Sequence, residues 1–425
     1  MMLVSLESKK TNSFLTYPVL VICLAACFLF YKYVLQIFPS IITDQLMQQF
    51  NLTGAGLGGL AATFYYTYMM TQLFVGLLLD KYSTRWLTSM AIFGCSLGVL
   101  LFSQSQTLFM ASMSRALMGV GVAFATVSYM KLAAVWFPPK QYAFVSGLLA
   151  TAAMSGAVFG QAPLAGLIGH FGWRYCLSMV GVVGFCLSFL FLMVVRDRPK
   201  VLQQKTAVPT ISFKDVRQVF KNKQNWLLTL YGGLAFAPVA VFGGLWGNPF
   251  LEQAYHLSKT QAASMVSLVF VGLGLGSPLL GWLSDRLNNR RNVMLASTLV
   301  SCAAITLVLY CHSLSTANLS VLLFLFGFGL GAFMLVFAMG KEMNHMSLTA
   351  TVIAMINTSD AVLDALTEPL IGKLLDMGWD GKIVNGVHQF SLHSYHAALS
   401  VLPIYLIVGS ILLLWVKETP RNWSE

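Results

Sequence analysis

The chain has 425 residues, of which 57% are hydrophobic and only 10% charged, with a formal net charge of +11. Soluble domains carry about 25% charged residues, so this composition places the chain in a lipid bilayer and argues against a soluble enzyme. The positive balance is not a surface for nucleic acid, because the basic residues are sparse and sit at the ends of apolar runs, where they set topology. The seven cysteines lie in or at the edge of apolar runs without a C-x2-C pair, which reads as core packing; no metal site and no cofactor are expected.

Residues 1 to 16 are polar, and no small-residue cleavage site follows the first apolar run, so that run is expected to be a retained helix and not a signal peptide. A membrane span needs about 20 apolar residues. Twelve runs qualify: 17–38, 56–79, 86–104, 107–135, 142–168, 174–195, 226–249, 262–283, 292–311, 318–340, 347–373 and 395–416. The expected fold is all-α and integral to the membrane, with twelve transmembrane helices in two pseudo-symmetric six-helix halves, 1–195 and 226–425. A basic linker, 196–225, joins them. In it Phe213, Val216, Val219 and Phe220 recur at helical spacing, as in a helix lying on an anionic leaflet, though an unstructured tether fits as well. The loop cations, among them Lys9, Lys10, Lys81, Arg85, Lys140, Arg286, Arg290, Arg291 and Lys341, put both termini in the cytoplasm.

One charged turn occurs twice. Gly76-Leu-Leu-Leu-Asp80-Lys81-Tyr-Ser-Thr-Arg85 returns as Gly281-Trp-Leu-Ser-Asp285-Arg286-Leu-Asn-Asn-Arg290, both with the spacing G-x3-D-(K/R)-x3-R. Each copy joins two apolar runs, and a turn repeated once per half marks an internally duplicated membrane protein. Here the chain resembles the major facilitator superfamily, whose loop between helices 2 and 3 reads G-x3-D-(R/K)-x-G-(R/K)-(R/K). Ser83 stands where the family has Gly. Arg115-Ala-Leu-Met-Gly119-Val-Gly121 fits the family's R-x3-G-x-G motif, and Gly147, Gly156 and Gly160 match its glycine-rich fifth helix. Gln161-Ala-Pro163 replaces the Gly-Pro of some drug antiporters, which speaks against that activity. Trp136-Phe137-Pro138-Pro139, Phe171-Gly172-Trp173-Arg174, Glu368-Pro369 with Gly372, and Trp379-Asp380-Gly381 are similar to bacterial permeases of sugar phosphates and organic anions. Some phagosomal amino-acid permeases share the look.

The resemblance implies a site near mid-membrane between two rocking halves. In the first run Tyr31, Lys32 and Gln36 are candidates; Lys32 either meets an anionic cargo or snorkels outward. Arg115 lies at the same depth and either faces the cavity or braces helices through backbone carbonyls. Tyr65, Tyr68 and Gln72 form a stripe at i, i+3 and i+7, which lines the cavity or packs between helices, with Tyr66 beside it. Trp246 and Asn248 are candidates to flank the cavity from the seventh run. In the eleventh, Asn357, Asp360, Asp364 and Glu368 share one helical face. Ionised carboxylates there are costly and repel. They either exchange a proton and couple transport to it, or pair permanently with Lys32, Arg115 or Lys373. Gly76, Asp80, Lys81, Arg85, Asp285, Arg286 and Arg290 are expected to latch one state of the cycle. His388, His393 and His396 lack companions at metal-ligand spacing.

The functional expectation is a secondary transporter of the bacterial inner membrane. It would import a small anionic or zwitterionic nutrient, such as an amino acid, organic acid or phosphorylated metabolite, with protons, and act as a monomer. Alternatives are a proton-driven exporter of a drug, siderophore or metabolite, and a transport-inactive membrane sensor. A primary pump is not expected, because the sequence contains no phosphate-binding loop.

Overall fold

Inside a bilayer a backbone can satisfy its polar groups only within its own segment, so long apolar runs become helices. The structure is a computed structural model. It describes residues 2–197, 219–311, 313–344 and 348–418, with the side chains of 2–16, 80, 139, 140, 142–144, 146, 147, 349 and 350 outside the description. Most of the basic linker, including Phe213 and Val216, lies outside it as well.

The long helices are α1 (Met2–Ile37), α2 (Gly54–Lys81), α3 (Thr84–Ser103), α4 (Leu108–Trp136), α5 (Pro139–Phe159, continued as Ala162–Phe171) and α6 (Trp173–Val194). After the linker come α7 (Lys223–Tyr255), α8 (Lys259–Leu287), α9 (Arg290–Tyr310), α10 (Thr316–Glu342), α11 (Thr349–Met377) and α12 (Leu392–Trp415). Among the described residues, 10 helices are long and apolar enough to cross a membrane. The two that fall short are α2 and α11, whose length of 28 and 29 residues suffices but whose tyrosines and carboxylates lower their hydropathy. The fold is all-α and membrane-embedded.

Departures from regular helix follow local chemistry. Pro163 has no N–H to donate and its ring would collide with the carbonyl four residues back, so α5 breaks at Gly160 and Gln161. In α7, a π-helical turn at Phe242–Trp246 sits between Pro238 and Pro249 amid Gly243, Gly244 and Gly247. Such turns commonly mark functional places. Two small elements were not anticipated: a helix at Thr43–Phe50, and a hairpin in which Ile383–Val384 pairs with Val387–His388.

Helix pairings recur six helices apart. α1 with α5 corresponds to α7 with α11, α2 with α4 to α8 with α10, and α3 with α4 to α9 with α10. Contacts of α5 with α8, of α1 and the turn after it with α7, and of α2 with α11 join the groups, the last being the most extensive helix pair among the described residues. The two least apolar helices thus face each other, shielding their polar stripes from lipid.

Candidate functional site

Lys32 on α1 is 6% exposed, and its ammonium lies 5.2 Å from the ring centre of Tyr33 and 4.8 Å from that of Tyr68. Among the described residues it makes no ion pair. Cation–π contacts contribute about 0.5–2 kcal/mol, well short of the cost of a charge at this depth. The lysine is therefore housed under two aromatic rings without a counter-charge.

Arg115 on α4 is buried too, yet its guanidinium is engaged. It donates to the carbonyls of Leu35 (2.8 Å) and Ala61 (3.3 Å) and lies 4.7 Å from the Phe64 ring and 5.4 Å from that of Phe38. This arginine ties α1, α2 and α4 together. Tyr31 packs its hydroxyl against Gly184 and Ser96, on α6 and α3, while Lys32 beside it reaches α2.

Across from α1 and α2, α11 presents Asp360, Asp364 and Glu368, which are 8%, 2% and 1% exposed, with Asn357 half-buried. One oxygen of each carboxylate is buried without a hydrogen-bond partner among the described residues. None of the three forms an ion pair with Lys32, Arg115 or Lys373 there. Asp360 and Asp364 lie within electrostatic reach of Tyr33 and Tyr68, so α1, α2 and α11 share one polar chamber. Glu368 belongs to a second group. Tyr65 accepts from Gln36 Nε2 (3.2 Å) and lies within reach of both Arg115 and Glu368, which sense each other without touching. Two glycines of α7 leave room beside this stripe: a Cβ at Gly232 would come within 3.7 Å of Asp360 Oδ1. One at Gly244 would lie 3.7 Å from the Tyr65 hydroxyl and 3.8 Å from Glu368 Oε1. Gln72 is half-buried with an unpartnered carbonyl oxygen.

Beyond Glu368 the two groups of helices close on each other. Trp246 donates to the Glu368 carbonyl (3.2 Å). Pro369 has no N–H for the Ala365 carbonyl, and the Tyr66 hydroxyl supplies the missing donor at 3.0 Å from the other group. Gln161 donates to Gly243 O (2.6 Å) and Ser40 Oγ (3.1 Å), and Asn248 donates to Gln161 Oε1 (2.9 Å). Asp376 accepts from the backbone N–H of Gly54 (2.7 Å) and Ala55 (2.8 Å), a carboxylate on the positive N-terminus of α2. Lys259 pairs with Asp44 at 2.6 Å. α2 and α11 approach so closely that a Cβ at Gly58 would lie 2.4 Å from the Glu368 carbonyl oxygen, and one at Gly372 2.1 Å from that of Gly54. Among the described residues, the hydrogen bonds joining the two groups gather at this end.

Sequence reasoning passed over Gly54, Gly58, Ser40, Gln161 and Asp376 as site residues. The G-x3-G spacing of Gly54 and Gly58 was a usable signal for close helix contact. Asp376 carried none, because an acid at a helix end is common.

At the opposite end, the repeated turns make contacts within their own group of helices. Ser83 caps α3, accepting from Trp86 N, and donates to Asp197 (2.5 Å), which also takes the Arg85 N–H (2.8 Å). The backbone at Ser83 has negative φ, so a serine serves here without glycine's freedom. Arg85 Nε reaches Leu192 O (2.5 Å), and Lys131 donates to Leu79 O. In the second copy Glu418 takes the N–H groups of Arg290 (2.9 Å) and Arg291 (2.7 Å), while the Arg290 guanidinium meets Asp285 (3.3 Å) and Glu342 (2.9 Å). Lys81 and Arg286 rest on Tyr82 and Trp282. Gly76 and Gly281 have open space around them. The Asp80 side chain lies outside the described residues. The acids that cap both turns stand in matching positions, Val195-Arg196-Asp197 after α6 and Val416-Lys417-Glu418 after α12, a short repeat visible in the sequence.

The family profile described as Major Facilitator Superfamily matches residues 20–359 and 228–424. The chain is similar to an uncharacterized transporter, YybO, of Bacillus subtilis, 23% identical over 58% of this chain and 60% of that protein. It is also similar to the probable galactarate/D-glucarate transporter GudP of the same organism, 25% identical over 90% of each. The chain spans about three-fifths of the first of these relatives. Among solved structures, it superposes on a bacterial homolog of the human lysosomal transporter Spinster in an inward-facing, occupied conformation. That match has a TM-score of 0.80 and 15% identity, and covers 94% of this chain and 97% of the other.

Proposed function

The chain belongs to the major facilitator superfamily, and from that premise we propose that it imports a small anionic or zwitterionic nutrient with protons across the bacterial inner membrane. Its relatives are named as transporters, with a membrane sensor protein among them, and not as enzymes. The observation that carries the reading is Lys32: a buried ammonium with ring faces but no counter-ion among the described residues, in a chamber between α1, α2 and α11. An arriving carboxylate or phosphate completes that charge. The names of several relatives, including D-galactonate and galactarate/D-glucarate transporters, support an anionic group on the cargo.

Transport then follows from two states. With both termini cytoplasmic, as the loop cations suggest, the end closed by α2 and α11 faces outward. Rocking the groups of helices about the chamber separates Gly54, Gly58 and Asp376 from their partners and opens the outer path. Asp364 and Glu368 supply the coupling. Each holds a proton while occluded and yields it once wet, and cargo and proton together favour the state that neither favours alone. The protein works as a monomer, each chain containing a whole chamber.

Two measurements on protein reconstituted in liposomes test this. Lys32→Gln weakens binding of the transported solute about 10- to 100-fold, as expected for a hydrogen bond to a charged group of about 1.5–3 kcal/mol, while the protein stays folded. Asp364→Asn retains solute exchange but loses accumulation driven by a pH gradient. Unchanged affinity in the first variant refutes the anion site, and uphill uptake persisting in Asp364→Asn and Glu368→Gln removes α11 from the coupling.

A further inference from the structure

The chamber contains buried groups of both signs that do not pair with each other. Lys32 stands on the α1 side, and Asp360 and Asp364 stand on α11, all more than nine-tenths buried, with one oxygen of each aspartate lacking a partner among the described residues. The groups facing Asp360 are the Ser359 hydroxyl, Asp364, the rings of Tyr33 and Tyr68 and, from α7, Gly232, which presents only backbone. A purely anionic cargo would answer Lys32 but would add negative charge beside Asp360, a like-charge arrangement that low-dielectric surroundings penalise. Permanent protonation of both aspartates would remove that penalty but leave them as unsatisfied neutral groups, which is also unfavourable. A cargo with a cationic group satisfies both sides at once.

The exposures sort the stripe. Asp360 is the most accessible of the three acids, and Asp364 and Glu368 lie successively deeper toward the closed end. Glu368 lies within electrostatic reach of Arg115, of Asp364 and of Tyr65, which accepts from Gln36. From α7, Gly232 comes close to the same aspartate: a Cβ there would lie 3.7 Å from Asp360 Oδ1, in ordinary contact.

We infer that Asp360 receives a cationic group of the cargo, so that the transported solute is a zwitterion gripped by Lys32 at one end and by α11 at the other. This rests on the assignment of Lys32 to an anionic group made above. The α11 stripe is thereby divided in its roles, with Asp360 reading the cargo and the deeper acids carrying the proton.

The test uses matched pairs of compounds that differ at one group: serine and glycerate, glutamate and 2-hydroxyglutarate, 2-amino-2-deoxygluconate and gluconate. Each is titrated against the purified full chain by calorimetry and thermal shift. The amino member of at least one pair binds at least about tenfold tighter than its hydroxy partner, because a buried charge left unanswered discriminates strongly. Asp360→Asn reduces that preference to below about threefold without weakening the hydroxy partner, and Asp360→Glu restores it. Lys32→Gln weakens both members alike. Should Asp360→Asn fail to fold, loss of the preference in Asp360→Ser serves the same purpose. Hydroxy acids binding as tightly as their amino partners, yet losing affinity in Lys32→Gln, overturns the zwitterion and leaves the anion site standing. Amino compounds that bind equally well to Lys32→Gln overturn both assignments. A preference unchanged in Asp360→Asn and Asp360→Ser, or no binding by any amino member, overturns the role of Asp360.

Discussion

The closed end and the chamber beneath it are built from the same helices on opposite rules. At the closed end Asp376 takes two N–H groups of α2, Tyr66 replaces a donor that Pro369 lacks, and Ser40, Gln161 and Asn248 bond one another across the groups of helices. In the chamber, among the described residues, Lys32 has no counter-ion, and Asp360 and Asp364 each keep an unpartnered oxygen, as does Glu368 beside it. Filled polar contacts hold a conformation. Unfilled ones create a demand that a solute or proton can meet, and because the demand is buried, meeting it alters the balance between conformations.

The sharpest way to break the contrast is to fill the close approach of α2 and α11. In Gly372→Leu the new side chain starts 2.1 Å from the Gly54 carbonyl oxygen, where backbone cannot give way as a side chain would. Overpacking of this kind costs about 3 kcal/mol or more, enough to shift the closed state about 100-fold. Uptake should nearly vanish, and cysteines placed at the closed end should become reactive to impermeant reagents. Labelling equal to that of the parent protein would show that the closure does not depend on this contact.

A smaller effect is expected from Asp376→Ala. Removing a carboxylate from the N-terminus of α2 costs about 1–2 kcal/mol, an approximately tenfold change in population. Spin labels on the two groups of helices should report a larger open fraction, and Asp376→Asn, which keeps one acceptor, should fall in between. No change in the distance distribution would assign the closure to the glycine contact alone. Least affected is Lys259→Ala. Lys259 and Asp44 are about half exposed, so their pair is worth about 0–1 kcal/mol and is screened by salt. Transport should change less than about fivefold, and less again in high salt; a larger, salt-insensitive loss would place the pair within the closure proper.

The fate of the two buried cations shows how much of the site could be read beforehand. Lys32 and Arg115 were legible as charges at a common depth, because depth follows from counting along a helix. Their surroundings were not. Arg115 finds two carbonyls on α1 and α2, whereas Lys32 finds only rings, and a choice of neighbours depends on how helices rotate about their axes. Likewise the shared face of Asp360, Asp364 and Glu368 was plain from spacing, while the division between the chamber acids and Glu368 beside Arg115 arises from contacts with α2 and α4.

By itself the sequence determined the membrane class, the helical runs, the repeated turns and the family resemblance, since these depend on hydrophobic run length and on motifs local in the chain. The π-helical turn in α7, the break in α5, the capping of α3 and α9 by Asp197 and Glu418, and the closure of one end by Gly58, Gly372 and Asp376 required the folded molecule. The physical reason is range. A run of apolar residues specifies its own helix through bonds four residues long, but a carboxylate more than three hundred residues from the N–H groups it accepts becomes their partner only when packing of the helices brings the two together.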